Sequence, residues 1–317
     1  MTMPLALRVR SGLAATAVCA VVTLATTATA GAEPAAGPMQ VNWFEAAAYS
    51  LAHPDAVPVG MNDFGCRPKP NHPNPVVLVN GAFVNLYANW AMLSPLLAAE
   101  GYCVFGTNYG SSPDNLVHQT GDLRESAAEL GAFVDRVREA TGAPKVDLVG
   151  HSEGGLVPLH YLKNLGGFDA VDKMIGIAPI TNGVSFYGVL DAVASNPVIS
   201  EAIDTALPIV TMGTSHSQFL IELAEGGVTR PEVDYTTISS RTDLVVQIAE
   251  SALPEAPNVR NIVVQDSCPD DHADHNTVVY DDVTLNFVLA SLDPTSAPEL
   301  ECHPVLPFIN RSPIPPA

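Results

Sequence analysis

An α/β fold with a mostly parallel sheet is what this 317-residue sequence predicts. Three observations predict it. Apolar runs at Val76-Val77-Leu78-Val79 and Met174-Ile175-Gly176-Ile177-Ala178 lack the alternation of half-exposed strands, as expected where a parallel sheet is covered on both faces. Between two such runs, residues 123–140 carry Leu123, Ala127, Leu130, Val134 and Val137 in a stripe at helical spacing, with charges opposite. The third observation is Val146-Asp147-Leu148-Val149-Gly150-His151-Ser152-Glu153-Gly154-Gly155, an apolar run with one polar interruption that ends in Gly-x-Ser-x-Gly. Residues 156–162 can follow it as a helix. Strand, sharp turn and helix around such a serine are the nucleophile elbow of an α/β-hydrolase.

The elbow has its own physical demands. Side chains at Gly150 or Gly154 would crowd the turn, and Ser152 must sit in a strained backbone conformation at the tip of the sheet. The helix behind it points free N–H groups and its positive dipole end at the place where an oxyanion would form.

The other elements follow in order. Residues 31–75 are rich in Pro, Gly and Ala, with a short helix expected around 43–51. Pro68, Pro70, Pro73 and Pro75 keep the approach to the first strand extended. That strand, 76–79, ends in the glycine loop Asn80-Gly81-Ala82-Phe83. A helix is expected over 90–99, closed by Gly101, then a strand over 102–106. Gly142 and Pro144 stop the helix 123–140. After the elbow comes the strand 174–178, and the alternation implies right-handed crossovers. Residues 181–227 break the rhythm, being apolar yet dotted with glycine. They read either as helices covering the sheet or as an apolar cap and acyl-chain wall beside Ser152. Strands at 235–238 and 262–265 and a helix over 281–292 complete the domain, 31–302. The Pro-rich tail 303–317 reads as a surface strap or as disordered.

Residues 1–30 read as an export signal: Arg8 and Arg10, an apolar core over 13–24, and the small-residue site Ala28-Thr29-Ala30. The core is short for a membrane anchor, and four threonines dilute its end. Cleavage near Ala30 removes two of the 14 basic residues and none of the 34 acidic ones, which turns a net charge of −20 into −22. Such a charge argues against nucleic acid and anionic membranes as partners and suits a secreted protein. Four cysteines remain, Cys66, Cys103, Cys268 and Cys302. Outside the cell two disulfides are the expectation, in one of three pairings, of which the local one, Cys66 with Cys103 and Cys268 with Cys302, is simplest.

A serine hydroxyl becomes a nucleophile when a histidine takes its proton and a carboxylate orients that histidine. In this fold the order is Ser, acid, His, on loops after successive strands. Asp243 follows the strand 235–238, with Asp234 and Asp266 as alternatives. His275 lies in the loop after the last strand and stands nearer the closing helix than its rival His272. His151 and His160 are too close to Ser152 in sequence to act as its base. The acidic run Asp270–His275 can also be read as a metal site, through His272 and His275. The oxyanion hole is expected to use the backbone N–H of Glu153 and one from the Gly81-Ala82 loop.

On these residues the chain resembles the secreted bacterial triacylglycerol lipases of the class 2 type. The likeness runs from Phe64-Gly65-Cys66 through Gly101-Tyr102-Cys103-Val104-Phe105, Asn108-Tyr109-Gly110, Phe133-Val134-Asp135-Arg136-Val137, the elbow and Tyr235-Thr236-Thr237-Ile238 to Cys268-Pro269, His275 and Cys302. The resemblance implies Ser152 as nucleophile, Asp243 as acid and His275 as base. It implies Ala82 and Glu153 as oxyanion donors, disulfides Cys66–Cys103 and Cys268–Cys302, and neither metal nor other cofactor. A monomer acting on a lipid or other ester substrate is expected. Two positions depart from the family pattern: Asn80 where a histidine is usual, and Glu153 where glutamine is usual. An Asn amide can still donate and accept hydrogen bonds. A carboxylate at 153 would repel a developing oxyanion unless protonated, paired or turned to solvent, so weakened or pH-shifted activity is expected. Alternatives to a lipase or esterase are a cutinase-like polyesterase, an acyltransferase, or a non-catalytic lipid-binding protein.

Overall fold

A computed structural model describes residues 35–111, 117–295 and 297–308. The expected export signal, 1–30, and the last part of the tail, 309–317, lie outside the described residues.

The run Val76-Val77-Leu78-Val79 is buried along its whole length, and alternate side chains enter different cores. Val76 and Leu78 join Trp90, Ile175, Tyr280 and Val288 on one side. Val77 and Val79 join Leu130, Leu148, Tyr161 and Tyr235 on the other. That is why the run is apolar without interruption. Two short strands, β1 (Ala36–Gly37) and β2 (Val57–Pro58), pair with each other ahead of the main sheet. The main sheet then takes β3 (Val76–Val79), β4 (Val104–Gly106), β5 (Val146–His151), β6 (Val171–Ile177), β7 (Asp234–Ser239) and β8 (Val259–Val263). Its spatial order is β4-β3-β5-β6-β7-β8, with every neighbouring pair parallel. The elbow strand β5 is therefore interior, and it is buried at all its positions.

The helices begin and end where local chemistry allows. Asn42 caps Trp43–Ala52 through its side-chain oxygen, which accepts from the N–H groups of Phe44 and Glu45. Asp122 does the same for Leu123–Thr141, and Gly142 closes that helix in the left-handed conformation at φ 76°, with its N–H on Arg138 O. The expected helix over 90–99 is two helices, Leu86–Trp90 and Leu93–Ala99. The first starts earlier because Asn85 caps it, and all its side chains are buried, so no amphipathic stripe marks it. The strand expected over 102–106 starts at Val104, because Tyr102 N–H bonds back to Leu97 O at the helix end.

The last strand also differs from expectation: β8 covers Val259–Val263, and Val264–Ser267 is a helical turn. Being an edge strand, β8 keeps Arg260 and Asn261 exposed, so its polar start hides the strand. Gln265 leaves the sheet to donate to Ser240 Oγ and Asp271 O, each at 2.9 Å. Asp234, placed before its strand by sequence, is the first residue of β7.

Disulfides join Cys66 to Cys103 and Cys268 to Cys302. The second anchors the start of the tail, where Val305 forms a bridge with Asp271 and Phe308 N–H donates to Asp274 Oδ2 at 2.7 Å. No described helix is long and apolar enough to cross a membrane.

Candidate active site

β5 ends at His151, and the chain turns through a short 3₁₀ segment, Ser152–Gly155, into the helix Val157–Asn164. Ser152 has φ 55°, the left-handed region that a serine occupies only under constraint. The constraint is crowding. A Cβ on Gly150 would lie 1.8 Å from Gly154 O, and one on Gly154 would lie 2.1 Å from Val79 O. Both glycines are therefore required by the turn itself.

The loops after β7 and β8 bring two side chains to this serine. His275 Nε2 lies 3.0 Å from Ser152 Oγ, and His275 Nδ1 lies 2.8 Å from Asp243 Oδ2. A carboxylate only accepts, so Nδ1 carries the proton and Nε2 presents a lone pair to the serine hydroxyl. Asp243 is itself held, since its Oδ1 accepts from the N–H groups of Val245 and Val246 at 2.7 and 2.8 Å. Ser240 Oγ and Thr242 Oγ1 both donate to Ala273 O, which ties the Asp243 loop to the His275 loop.

The alternative residues lie elsewhere. His272 and Asp234 are exposed, and Asp266 is exposed and paired with Arg241 at 2.6 Å. His160 bonds Asn164 and stacks on Phe219, away from the serine. Among the described residues no group of three or more His, Cys, Asp or Glu is arranged to hold a metal ion.

The loop after β3 packs against the elbow. Gly81 N–H is taken by Asn89 Oδ1 at 2.8 Å, and Phe83 N–H by His118 O at 3.1 Å. Asn80, the departure from the family pattern, uses its whole amide in holding the loop. Its Oδ1 accepts from Trp90 Nε1 at 2.8 Å, and its Nδ2 donates to Asn108 Oδ1 at 3.2 Å and Thr107 O at 3.3 Å. Gln119, which sequence reasoning passed over, underlies the same loop. With its amide turned over, it donates to Val84 O at 2.5 Å and sets its oxygen 3.0 Å from Asn80 Nδ2, which then shares its two hydrogens among three acceptors.

Glu153 is fully buried, and neither carboxyl oxygen has a partner among the described residues. Burial pushes its carboxyl well above the usual glutamate range. A neutral Glu153 side chain would match a glutamine in charge and shape and would place no anion beside Ser152.

An apolar cavity of about 530 Å³ opens at Ser152 and His275. Ala82, Ile180, Val184, Phe186, Ile209 and Val210 are among the residues that wall it, and Trp43 reaches it from the first helix. Residues 181–227 thus do two things. Val184, Phe186, Leu190, Ile209 and Val210 face the cavity, while Phe219, Leu220 and Leu223 pack into the core. Nothing in the spacing of 31–75 marks Trp43 as a wall residue.

Known proteins share this architecture. Aspergillus fumigatus lipase B superposes with a TM-score of 0.59 at 18% identity, over 77% of this chain and 56% of that one. The mature form of Bacillus licheniformis lipase BlEst2 gives 0.53 at 17% identity, over 71% and 94%. At such identities the likeness concerns the fold, which is that of the α/β-hydrolases. Triacylglycerol lipases of Pseudarthrobacter phenanthrenivorans and Burkholderia plantarii are each 36% identical over 88 residues. That stretch is 26% of this chain, and the chain spans about a quarter of the length of these curated relatives, 26% and 23%. Residues 73–287, well over half of the chain, match the lipase (class 2) family throughout, and the chain belongs to that family.

Proposed function

We propose that this protein hydrolyses carboxylic esters of acyl chains, as a triacylglycerol lipase or esterase, through an acyl-enzyme on Ser152. One observation carries the reading: the unbroken line Ser152 Oγ, His275, Asp243 at the mouth of an apolar cavity. Ser152 Oγ attacks the ester carbonyl while His275 Nε2 accepts its proton. The tetrahedral oxyanion is held by the backbone N–H groups of Ala82 and Glu153. It collapses as His275 protonates the leaving alcohol, and water activated by the same nitrogen releases the fatty acid. Asp243 keeps the imidazole in one tautomer and stabilises its charged form. The apolar wall favours acyl chains over small polar acids.

Around this centre we assign 31–302 as the catalytic domain, 181–227 as its cap and 303–317 as a tail. Export with cleavage near Ala30 and action as a monomer are part of the same proposal. The two disulfides and the family of the chain support export.

Hydrolysis of p-nitrophenyl butyrate and palmitate by the wild type and by Ser152→Ala tests the activity. Palmitate turnover that the substitution abolishes is the expected result. Butyrate turnover alone would restrict the protein to short-chain esters, and turnover of neither would leave a lipid-binding role.

A further inference from the structure

Two buried side chains beneath the elbow have no task in the chemistry above. His151 ends β5 immediately before Ser152 and is 3% exposed. Its Nε2 lies 2.9 Å from the backbone carbonyl oxygen of His275. A carbonyl oxygen only accepts, so the imidazole proton sits on Nε2. Its other nitrogen, Nδ1, faces Asn89 Oδ1 at 3.3 Å. That same oxygen accepts from Gly81 N–H. Turning the Asn89 amide over would set its NH₂ against the Gly81 donor, so the oxygen stays where it is. Gly81 lies so close that a Cβ there would meet His151 Nδ1 and Ser152 Cβ at 3.1 Å each.

One imidazole is thus wedged between two loops remote in sequence. On one side it bonds the backbone of the residue whose ring faces Ser152. On the other its Nδ1 edge packs against Asn89 and Gly81 with no proton between Nδ1 and Asn89 Oδ1. The His151 and His275 rings lie 4.9 Å apart. Burial first, and the neighbouring His275 second, hold the His151 pKa well below the ordinary histidine range, which keeps this ring neutral.

We infer that His151 is a positioning residue for the ester hydrolysis proposed above: its Nε2–H, donated to the His275 carbonyl oxygen, fixes the His275 backbone relative to Ser152. It touches neither substrate nor reacting atoms and takes part in no covalent step. The inference rests on the ester-hydrolase reading. A histidine that merely fills the core would need bulk at this position and no particular donor.

The test uses the full chain and compares His151→Leu with His151→Gln, whose side-chain amide can still donate toward His275 O. Misplacing catalytic groups costs on the order of 10- to 100-fold in turnover. The leucine variant is expected to lose at least about ten-fold in kcat on p-nitrophenyl butyrate with KM within about two-fold, and the glutamine variant to recover most of that loss. Equal losses in both, or no loss in either, would overturn the inference while leaving the ester hydrolase standing. A wild type that turns over no ester would overturn both. A second measurement needs no variant: ¹⁵N NMR of the histidine side chains should show His151 neutral and protonated on Nε2 from pH 5.5 to 9. An Nδ1-protonated ring would overturn the inference even if the leucine variant failed to fold.

Discussion

His275 Nε2 sits 3.0 Å from Ser152 Oγ although 123 residues separate the two in sequence. The sheet makes the meeting possible, because β5, β7 and β8 run parallel and deliver their following loops to one end. Each member of the resulting hydrogen-bonded line is fixed by more than one contact, and each contact can be removed.

Asp243 accepts two backbone N–H groups with one oxygen and faces His275 with the other. Asp243→Asn keeps the shape but removes the acceptor that sets the imidazole tautomer. Its kcat should fall by on the order of 10³- to 10⁴-fold, with little change in thermal stability. Steady-state kinetics beside a melting curve would check both halves.

Glu153 is a buried acid whose folded-state pKa is raised above its unfolded value. Its contribution to stability is fully present below the ordinary glutamate pKa and is lost as pH rises toward the folded value. Glu153→Gln removes that loss. Its Tm should match the wild type near pH 4 and exceed it increasingly as pH rises above the ordinary glutamate value of 4.5. In activity the two should agree to within about three-fold at pH 7, then diverge in favour of glutamine where the acid ionises. A constant gap across pH would contradict this account of the burial.

At the far end of β5, burial raises the Asp147 pKa from 3.8 to about 6, with Lys173 opposing the rise. The penalty is absent below pH 3.8 and complete above about pH 6. Asp147→Asn should therefore stabilise the protein by up to about 3 kcal/mol at pH 8 and not at pH 3.5. Urea unfolding at the two pH values measures the difference.

The Cys268–Cys302 bond closes a separation of 34 residues and anchors the strap that reaches Asp271 and Asp274, next to His275. Replacing both cysteines by serine should cost about 3–4 kcal/mol of stability. Hydrogen exchange should report the loosening first in 268–275.

Val184 and Val210 face the cavity. Tryptophan at either position fills part of its volume. Palmitate hydrolysis should fall by about ten-fold or more relative to butyrate hydrolysis, a ratio readable from one pair of assays.

Much of this was legible in the sequence, for identifiable reasons. Gly150, Ser152 and Gly154 announce the elbow because its geometry excludes side chains. Strand β3 announces itself because burial on both faces removes polar residues, and β5 because its apolar run leads straight into the elbow. Asp243 and His275 follow from chain order, since the fold delivers those loops in sequence. What stayed hidden is what depends on contacts between remote segments. Leu86–Trp90 is buried on every side, so it has no stripe. β8 is an edge strand with a polar start, so the apolar run marks only its end. Trp43 reaches the cavity from outside the matched stretch 73–287. Glu153 could be recognised as a hazard from its type and position, but only the structure shows its carboxyl buried without a partner, which favours the neutral form.

The most direct measurement is covalent labelling of the full chain with a fluorophosphonate, followed by peptide mapping. An activated serine is expected to give one modified peptide, containing Ser152, and Ser152→Ala should abolish the label. Absence of label on folded, oxidised protein, or a label on another serine, would contradict the assignment of Ser152 as the nucleophile.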